Sequence, residues 1–388
     1  MGPLGDLTVI ELAAIGPVPF AMTLLADMGA RVIRVDRREP ADLGLPRENP
    51  KYDVLGRGRQ TIAVDIKSAA GRDIVLRLVA NADVLVEGLR PGVIERLGLG
   101  PDRLLAANPR LVIGRMTGYG QTGPMADRAG HDINYISLAG VLGGIGRKGG
   151  PPAPPLNLIG DYGGGGMFLA LGVVAAVLSA RATGKGQVVD AAMVDGASYL
   201  MAMFHGLRSE GRWSDVRGEN ILDSGAPWYD VYETKDQQWI ALGAIEKRFY
   251  EALLAGLGLT GENLPAQNDR NGWPTLRARF AEVIVQRTRA EWEAVFATSD
   301  ACVTPVLGLG EVAQHAHMRA RDVLIARNGV VEPAPAPRFS ATPSQAGVQA
   351  RAAGSDTDAI LGEIGFSRDE IKRLARDGVA GPAMPMKG

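Results

Sequence analysis

Near the start of the chain two short runs rich in β-branched residues, Leu7–Leu12 (LTVIEL) and Arg31–Asp36 (RVIRVD), bracket an apolar, helix-length segment at Pro17–Met28. Their spacing predicts strand, helix, strand. A helix that carries the chain from one strand to the next makes those strands parallel and the crossover right-handed. A parallel sheet has to be covered on both faces, so the opening of the chain already commits it to a layered α/β fold. The pattern repeats with strands at Thr61–Ile66, Val84–Glu87 and Leu111–Met116 and a helix at Gly71–Ala80. A buried helix over Met167–Leu178 and a strand over Gln187–Met193 follow, and then a helix through Leu207. The expected large domain is Rossmann-like, with a parallel sheet.

In open α/β sheets ligands bind beyond the carboxyl ends of the strands, so the connections there restrict the ligand. The first of them, Ala13-Ala14-Ile15-Gly16-Pro17, lacks the G-x-G-x-x-G spacing that a dinucleotide pyrophosphate requires. Asp36 could receive a ribose, but Arg37 and Arg38 follow it at once, and guanidinium groups fit a phosphate better than a free hydroxyl. Arg57, Arg59, Lys67, Arg90 and Arg96 fall in or just beyond the same set of connections. Together with Arg37 they predict one anionic groove.

At 388 residues the chain is long enough for two domains, and its texture changes from about Glu210, where Trp213, Trp228, Tyr229, Tyr232 and Trp239 cluster. Tyr229–Glu233 and Gln238–Leu242 read as a hairpin, and Arg248–Ala255 and Arg289–Thr298 as helices, which together predict a smaller α+β domain. Pro333 to Arg338 reads as an extended linker, followed by helices at Asp356–Ile364 and Ser367–Asp377. The expected division is residues 1–200 for the first part of the large domain, 215–330 for the small domain and 335–388 for a return to the large one. A net charge of −1 gives no footprint for nucleic acid. The longest apolar run is short for a membrane span and the start lacks a signal-peptide pattern, so no membrane and a cytoplasmic location are expected. The sole cysteine, Cys302, excludes an intrachain disulfide and is expected as a small buried residue.

The chemistry concentrates between Gly130 and Met167. Gly130-His131-Asp132-Ile133-Asn134-Tyr135 opens this stretch, and Gly160-Asp161-Tyr162 followed by Gly163 to Gly166 closes it against the apolar helix. Both His131 and Asp161 are expected in glycine-flanked loops where a ligand can approach. The helix after the glycines is expected to aim unpaired N–H groups toward Asp161. His131 could be merely structural, and Asp161 a turn or capping residue. His205 is expected in a packed helix, while His315 and His317, two apart, make a poor metal pair. Glu246 follows a strand of the smaller domain in Gly243-Ala244-Ile245-Glu246, where a helix-initiating acid is ordinary. With no serine elbow, no His-Glu-x-x-His pair and no Walker loop, acid–base or carboxylate chemistry is what the residues offer.

The segments Gly-His-Asp-Ile-Asn-Tyr, Pro-Leu-Asn-Leu-Ile-Gly-Asp-Tyr-Gly-Gly-Gly, Gly-Gln-Val-Val-Asp-Ala-Ala-Met-Val-Asp-Gly and Gly-Ala-Ile-Glu resemble those of the racemases in the family III CoA-transferase superfamily. The resemblance runs from the first strand to about Ser340, while the tail around Leu361-Gly-Glu-Ile-Gly looks like that of the transferases. It implies that His131 and Asp161 are the two catalytic groups and that Glu246 orients or polarises His131. It also implies that Arg37, the run Val64, Asp65, Ile66 and Lys67, the turn Gly88, Leu89 and Arg90, and Arg96 hold CoA. Beside the two bases, Gly130, Asp132, Ile133, Asn134 and Tyr135 on one side, and Gly160, Tyr162, Gly163, Gly164 and Gly165 on the other, are expected to contact substrate. An interlocked homodimer, no metal and no separate cofactor are further implications.

The reaction so implied is inversion of the α-carbon of a 2-methylacyl-CoA thioester. Removing a proton from one face and returning one to the other needs two bases, and His131 and Asp161 supply them. The enolate oxygen between the two transfers would take N–H groups from Gly163–Met167. Ile15, Met193, Tyr229 and Met201–Met203 could wall the acyl chain. The alternative is CoA transfer between carboxylic acids, with Asp161 as nucleophile.

Overall fold

The structure, a computed structural model, describes residues 2–39 and 49–384. The chain divides into two compact units, each built from discontinuous pieces. The first comprises Met1–Ala139, Leu156–Leu200 and Asp322–Gly388, and the second Gly140–Pro155 and Met201–Arg321.

The first unit holds a seven-stranded sheet. Its strands are β1 (Thr8–Leu12), β2 (Arg31–Asp36), β3 (Arg59–Val64), β4 (Val84–Glu87), β5 (Val112–Thr117) and β6 (Gln187–Ala192), with a terminal strand at Ala380–Gly381. β1 to β6 are parallel, in the spatial order β3-β2-β1-β4-β5-β6, and the terminal strand pairs antiparallel outside β3. Alternate residues of each strand feed two separate cores. Val9, Val32, Val84 and Val112 pack with α1 (Pro17–Asp27) and the helix Met167–Thr183, through Val18, Leu25, Leu169 and Val173. Ile10, Ile33, Ile62 and Ile113 pack on the opposite face with α2 (Ala69–Ala80) and the C-terminal helices Thr357–Glu363 and Arg368–Arg376. Both faces are thereby covered, as a parallel sheet demands.

Two boundaries differ from expectation for identifiable reasons. Gly140–Pro155 belongs to the second unit, where the Arg147–Asp230 ion pair, the Lys148–Glu219 pair at 3.0 Å and the Arg217 bond to the Gly143 carbonyl at 2.8 Å hold it. Residues 322–330 belong to the first, because Leu324–Arg327 and Val330–Pro333 form a hairpin whose Glu332 pairs with Arg57 at 3.2 Å. The tail lies wholly with the first unit. Asp356 Oδ2 accepts the Thr61 amide at 2.9 Å, and Ser367 caps the last helix in a capping box with Glu370.

Within the second unit, β7 (Tyr229–Glu233), β8 (Trp239–Gly243) and β9 (Val303–Pro305) form an antiparallel sheet. The helices Lys247–Leu257, Trp273–Ile284 and Arg289–Phe296 complete a core around Trp228, Tyr232, Trp273, Phe280 and Trp292. This is the α+β texture the aromatic cluster predicts. Cys302 is exposed rather than buried, since its φ of 53° at the start of the edge strand turns its side chain outward. His205 is also exposed, on Ala202–Ser209, a helix with no buried residue.

Candidate active site

The strand order turns back between β1 and β4, so the loops leaving these two strands diverge and open a crevice at the carboxyl edge. The loop after β1 ends at Gly16, with φ of 65°, and the loop after β4 begins at Gly88. The two loops are close, because a Cβ on Gly88 would stand 3.0 Å from that of Ala14. Asp161 reaches this crevice, since a Cβ on Gly16 would stand 2.8 Å from its Oδ2.

Asp161 lies inside a helix, contrary to the loop expected. Leu158–Gly166 winds as a π-helix and continues without a break into Met167–Thr183. The glycines permit this by letting neighbouring backbones close in. A Cβ at Gly164 would collide with the Ala197 amide at 2.5 Å, and one at Gly166 would lie 2.8 Å from the Pro17 carbonyl. The consequence corrects two expectations. Gly160, Gly164 and Gly165 are buried and present no face to a ligand. The amides from Gly163 to Met167 are engaged within the helix, that of Met167 bonding to the Tyr162 carbonyl, so they are not free donors. The continuous helix Leu158–Thr183, at 26 residues, is also long and apolar enough by length and composition to cross a membrane, which the shorter expected run was not. Half of its most apolar window is buried against the first unit.

His131 is likewise attached to a helix. It is the exposed N-cap of Asp132–Leu138, with its amide bonded to Asn134 Oδ1 at 3.0 Å. Asp132, expected to contact substrate, is 5% exposed and turned inward. Its Oδ2 accepts the amides of Gly160 at 2.6 Å and Asp161 at 2.8 Å. Tyr135 is buried as well: its ring sits so close that a Cβ on Gly118 would be 2.1 Å from it, and its hydroxyl donates to the Gly130 carbonyl. Burial pushes the Tyr135 phenol up to about 12, so it stays protonated. Ile133 and Asn134 are exposed beside His131, and Tyr162 stacks on Phe20 at 4.6 Å.

Burial raises the carboxyl of Asp161 above its ordinary range. A hydrogen bond from Asn157 Nδ2, at 3.1 Å to Oδ2, pulls the other way, the negative charge of Asp132 adds to the rise, and His131 opposes it. His131 and Asp161 are thus within electrostatic reach of each other. Asn157 was not singled out in the sequence, although its position four residues before Asp161 puts it one helical turn away, which is the available signal.

Arg37, Lys67, Arg90 and Arg96 are exposed at the carboxyl edge or in the connections beyond it, with Val64 buried at the end of β3 and Asp65, Ile66, Gly88 and Leu89 at the surface turns. The Gly88–Arg90 turn is anchored from below, where Glu87 Oε2 accepts the Leu89 amide at 2.6 Å and Arg115 bridges Glu87 and Glu95 at 2.8 Å each. Arg57 and Arg59, expected in the anionic groove, are buried instead. Arg59 starts β3 at the opposite edge and pairs with Glu11 at 3.0 Å, while Arg57 pairs with Asp27 and Glu332. Internal carboxylates have claimed both guanidinium groups. Glu246 stands in the second unit as the exposed N-cap of Lys247–Leu257. Among the described residues no cluster of His, Cys, Asp and Glu suits a metal ion.

Comparison with known proteins gives a consistent picture. The chain is 44% identical over 376 residues to a mouse (Mus musculus) protein named alpha-methylacyl-CoA racemase, covering 96% of each chain. It is 44% identical over 378 residues to the human (Homo sapiens) protein of the same name, again covering 96% of each. A solved CAIB/BAIF family protein from Brucella suis superposes with a TM-score of 0.81 at 25% identity, over 94% of this chain and 99% of that one. The model of the family described as CoA-transferase family III matches residues 4–357, and the chain belongs to that family.

Proposed function

We propose that the protein racemises the α-carbon of 2-methylacyl-CoA thioesters. The observation that carries this reading is the pairing of an imidazole and a carboxylate, His131 and Asp161, on two helices joined through Asp132 at the crevice of the sheet. The 44% identity to proteins named alpha-methylacyl-CoA racemase supports it. In one direction neutral His131 takes the α-proton and protonated Asp161 returns one to the opposite face, and in the other direction the roles exchange. The thioester is an enolate between the transfers. The amides of Asp132 and Ile133 head the helix that His131 caps, have no intrahelical partner, and are the donors suited to the enolate oxygen. Arg37, Lys67, Arg90 and Arg96 bind the CoA phosphates.

We further propose that the active form is a homodimer. The exposed face of the long helix carries Met167, Leu171 and Leu178, at 50%, 67% and 64% exposure, which is the character of a surface that another chain covers. Sedimentation at micromolar concentration is expected to give twice the chain mass, and a monomer there removes the dimer.

The reaction is tested by incubating a chiral 2-methylacyl-CoA with the protein in heavy water without an acceptor acid. Deuterium should enter the α-position as optical purity is lost, and His131→Ala and Asp161→Ala should each abolish inversion. Retention of the α-hydrogen, with CoA passing to an added carboxylic acid, would replace this reading with CoA transfer through Asp161.

A further inference from the structure

We propose that Asp132 is a positioning residue, whose buried carboxylate sets Asp161 relative to His131 and does not touch substrate. What the two groups then do rests on the racemisation reading above. The geometry is compact. Asp132 directly follows His131 in the chain, and its Oδ2 holds the amides of Gly160 and Asp161 at 2.6 and 2.8 Å. Those amides belong to the first turn of the long helix, where N–H groups need an external acceptor. The residue at the usual capping position, Asn157, makes no capping bond, and its side chain donates to Asp161 Oδ2 instead. Capping is therefore done by the neighbour of His131. The two bases are separated by one peptide unit and one hydrogen-bonded carboxylate, so a shift of either helix end is passed to the other.

A second feature sets Asp132 apart from an ordinary cap. Its Oδ1 is buried without a hydrogen-bond partner, a costly arrangement that a hydroxyl cap, with a single polar atom, would avoid. The carboxylate brings a negative charge to the backbone of Asp161. The groups facing Asp161 are Asp132, His131 and Asn157, with the Tyr135 phenol in electrostatic reach of both aspartates. The residues that α1 and the helix Met193–Leu200 pack against this stretch, namely Pro17, Phe20, Met193, Gly196 and Ala197, carry no charge. Asp132 is thus the anionic side chain acting on Asp161, and it raises the affinity of that carboxylate for a proton.

Asp132→Asn keeps an acceptor for the two amides and removes the charge, whereas Asp132→Ala removes both. The experiment measures kcat and KM for each enantiomer of a 2-methylacyl-CoA across pH, in the wild type and both variants. Acetyl-CoA binding by calorimetry and a 13C-carboxyl NMR titration of Asp161, assigned with Asp161→Asn, accompany it. Asp132→Asn should keep kcat within about tenfold while its acid limb and the Asp161 titration move to lower pH. Asp132→Ala should lose kcat by roughly 100-fold, the scale of a base displaced by about 1 Å, with KM and acetyl-CoA affinity unchanged. An unmoved acid limb and titration in Asp132→Asn would overturn the proposal. So would an Asp132→Ala variant with normal kcat and weakened thioester binding, which would make Asp132 a substrate contact. If Asp132→Ala does not fold, the Asp132→Asn profile decides. Absence of α-hydrogen exchange in the wild type would sink the racemisation reading alone, and the NMR titration would still decide the link between the two aspartates.

Discussion

The carboxylate of Asp161 rests against Gly16, so close that a methyl group on Gly16 would stand 2.8 Å from Oδ2. Gly16 also has φ of 65°, where a side chain costs roughly 1–2 kcal/mol. Gly16→Ala should therefore displace the base as well as strain the turn. Its kcat for racemisation should fall by about 100-fold, with a stability loss of only that backbone cost by urea denaturation. Unchanged kcat would place Asp161 elsewhere.

Asp161 has its carboxyl raised by burial, and two consequences follow. Activity requires the ionised form when Asp161 acts as base, so kcat/KM in that direction should fall with decreasing pH through a value above the ordinary carboxylate pKa of about 3.9. The folded state also binds more protons than the unfolded one between the two values, so this group's contribution to stability falls as pH rises through that window. Asp161→Asn should lose racemisation by 100-fold or more, yet gain thermal stability over the wild type at pH 7 relative to pH 4. A variant equally destabilised at both pH values would contradict the assignment of the shift to burial.

Arg57 should matter for folding. Its side chain is 4% exposed between Asp27 and Glu332, which are 3% and 2% exposed. Arg57→Ala leaves the buried Asp27 without its cation and Glu332 with Arg327 alone, and should cost about 3–5 kcal/mol in urea denaturation. Acetyl-CoA affinity of the folded variant should not change, and a large loss of affinity would return Arg57 to the anionic groove.

Arg37 should behave in the opposite way. It is exposed just beyond β2, and Arg37→Ala should weaken acetyl-CoA by about tenfold, near 1.4 kcal/mol, while stability stays within about 0.5 kcal/mol. Equal affinities by calorimetry would remove Arg37 from the phosphate site.

The strands of the first unit were legible because both faces of a parallel sheet are buried, which leaves continuous runs such as VIEL and RVIRV that little else explains. Element ends moved by a residue or two. The candidate site was misread as backbone. His131 and Asp161 stand among glycines, which in sequence signal loops, whereas here Gly164 and Gly166 allow helix to press on helix. Asp132 was expected to contact substrate, because its partners, the amides of Gly160 and Asp161, are 28 and 29 residues away and carry no signal in composition. Arg57 and Arg59 share the residue type of a phosphate site, and only the tertiary placement of Asp27, Glu11 and Glu332 assigns them to the interior. The Gly140–Pro155 excursion was hidden for the same reason, since an ion pair with Asp230 cannot be read from Arg147 alone.

The sheet of the first unit is finished by the last described residues of the chain, with Ala380 beside Val64 and Asp356 holding Thr61 from 295 residues away. During synthesis β3 therefore emerges from the ribosome long before its outer neighbour exists, and Arg57 waits equally long for Glu332. The whole second unit is translated in between and, having its own aromatic core, can settle first. Assembly of the first unit is accordingly a late event, timed by the synthesis of residues 356–381 rather than by the appearance of His131 and Asp161.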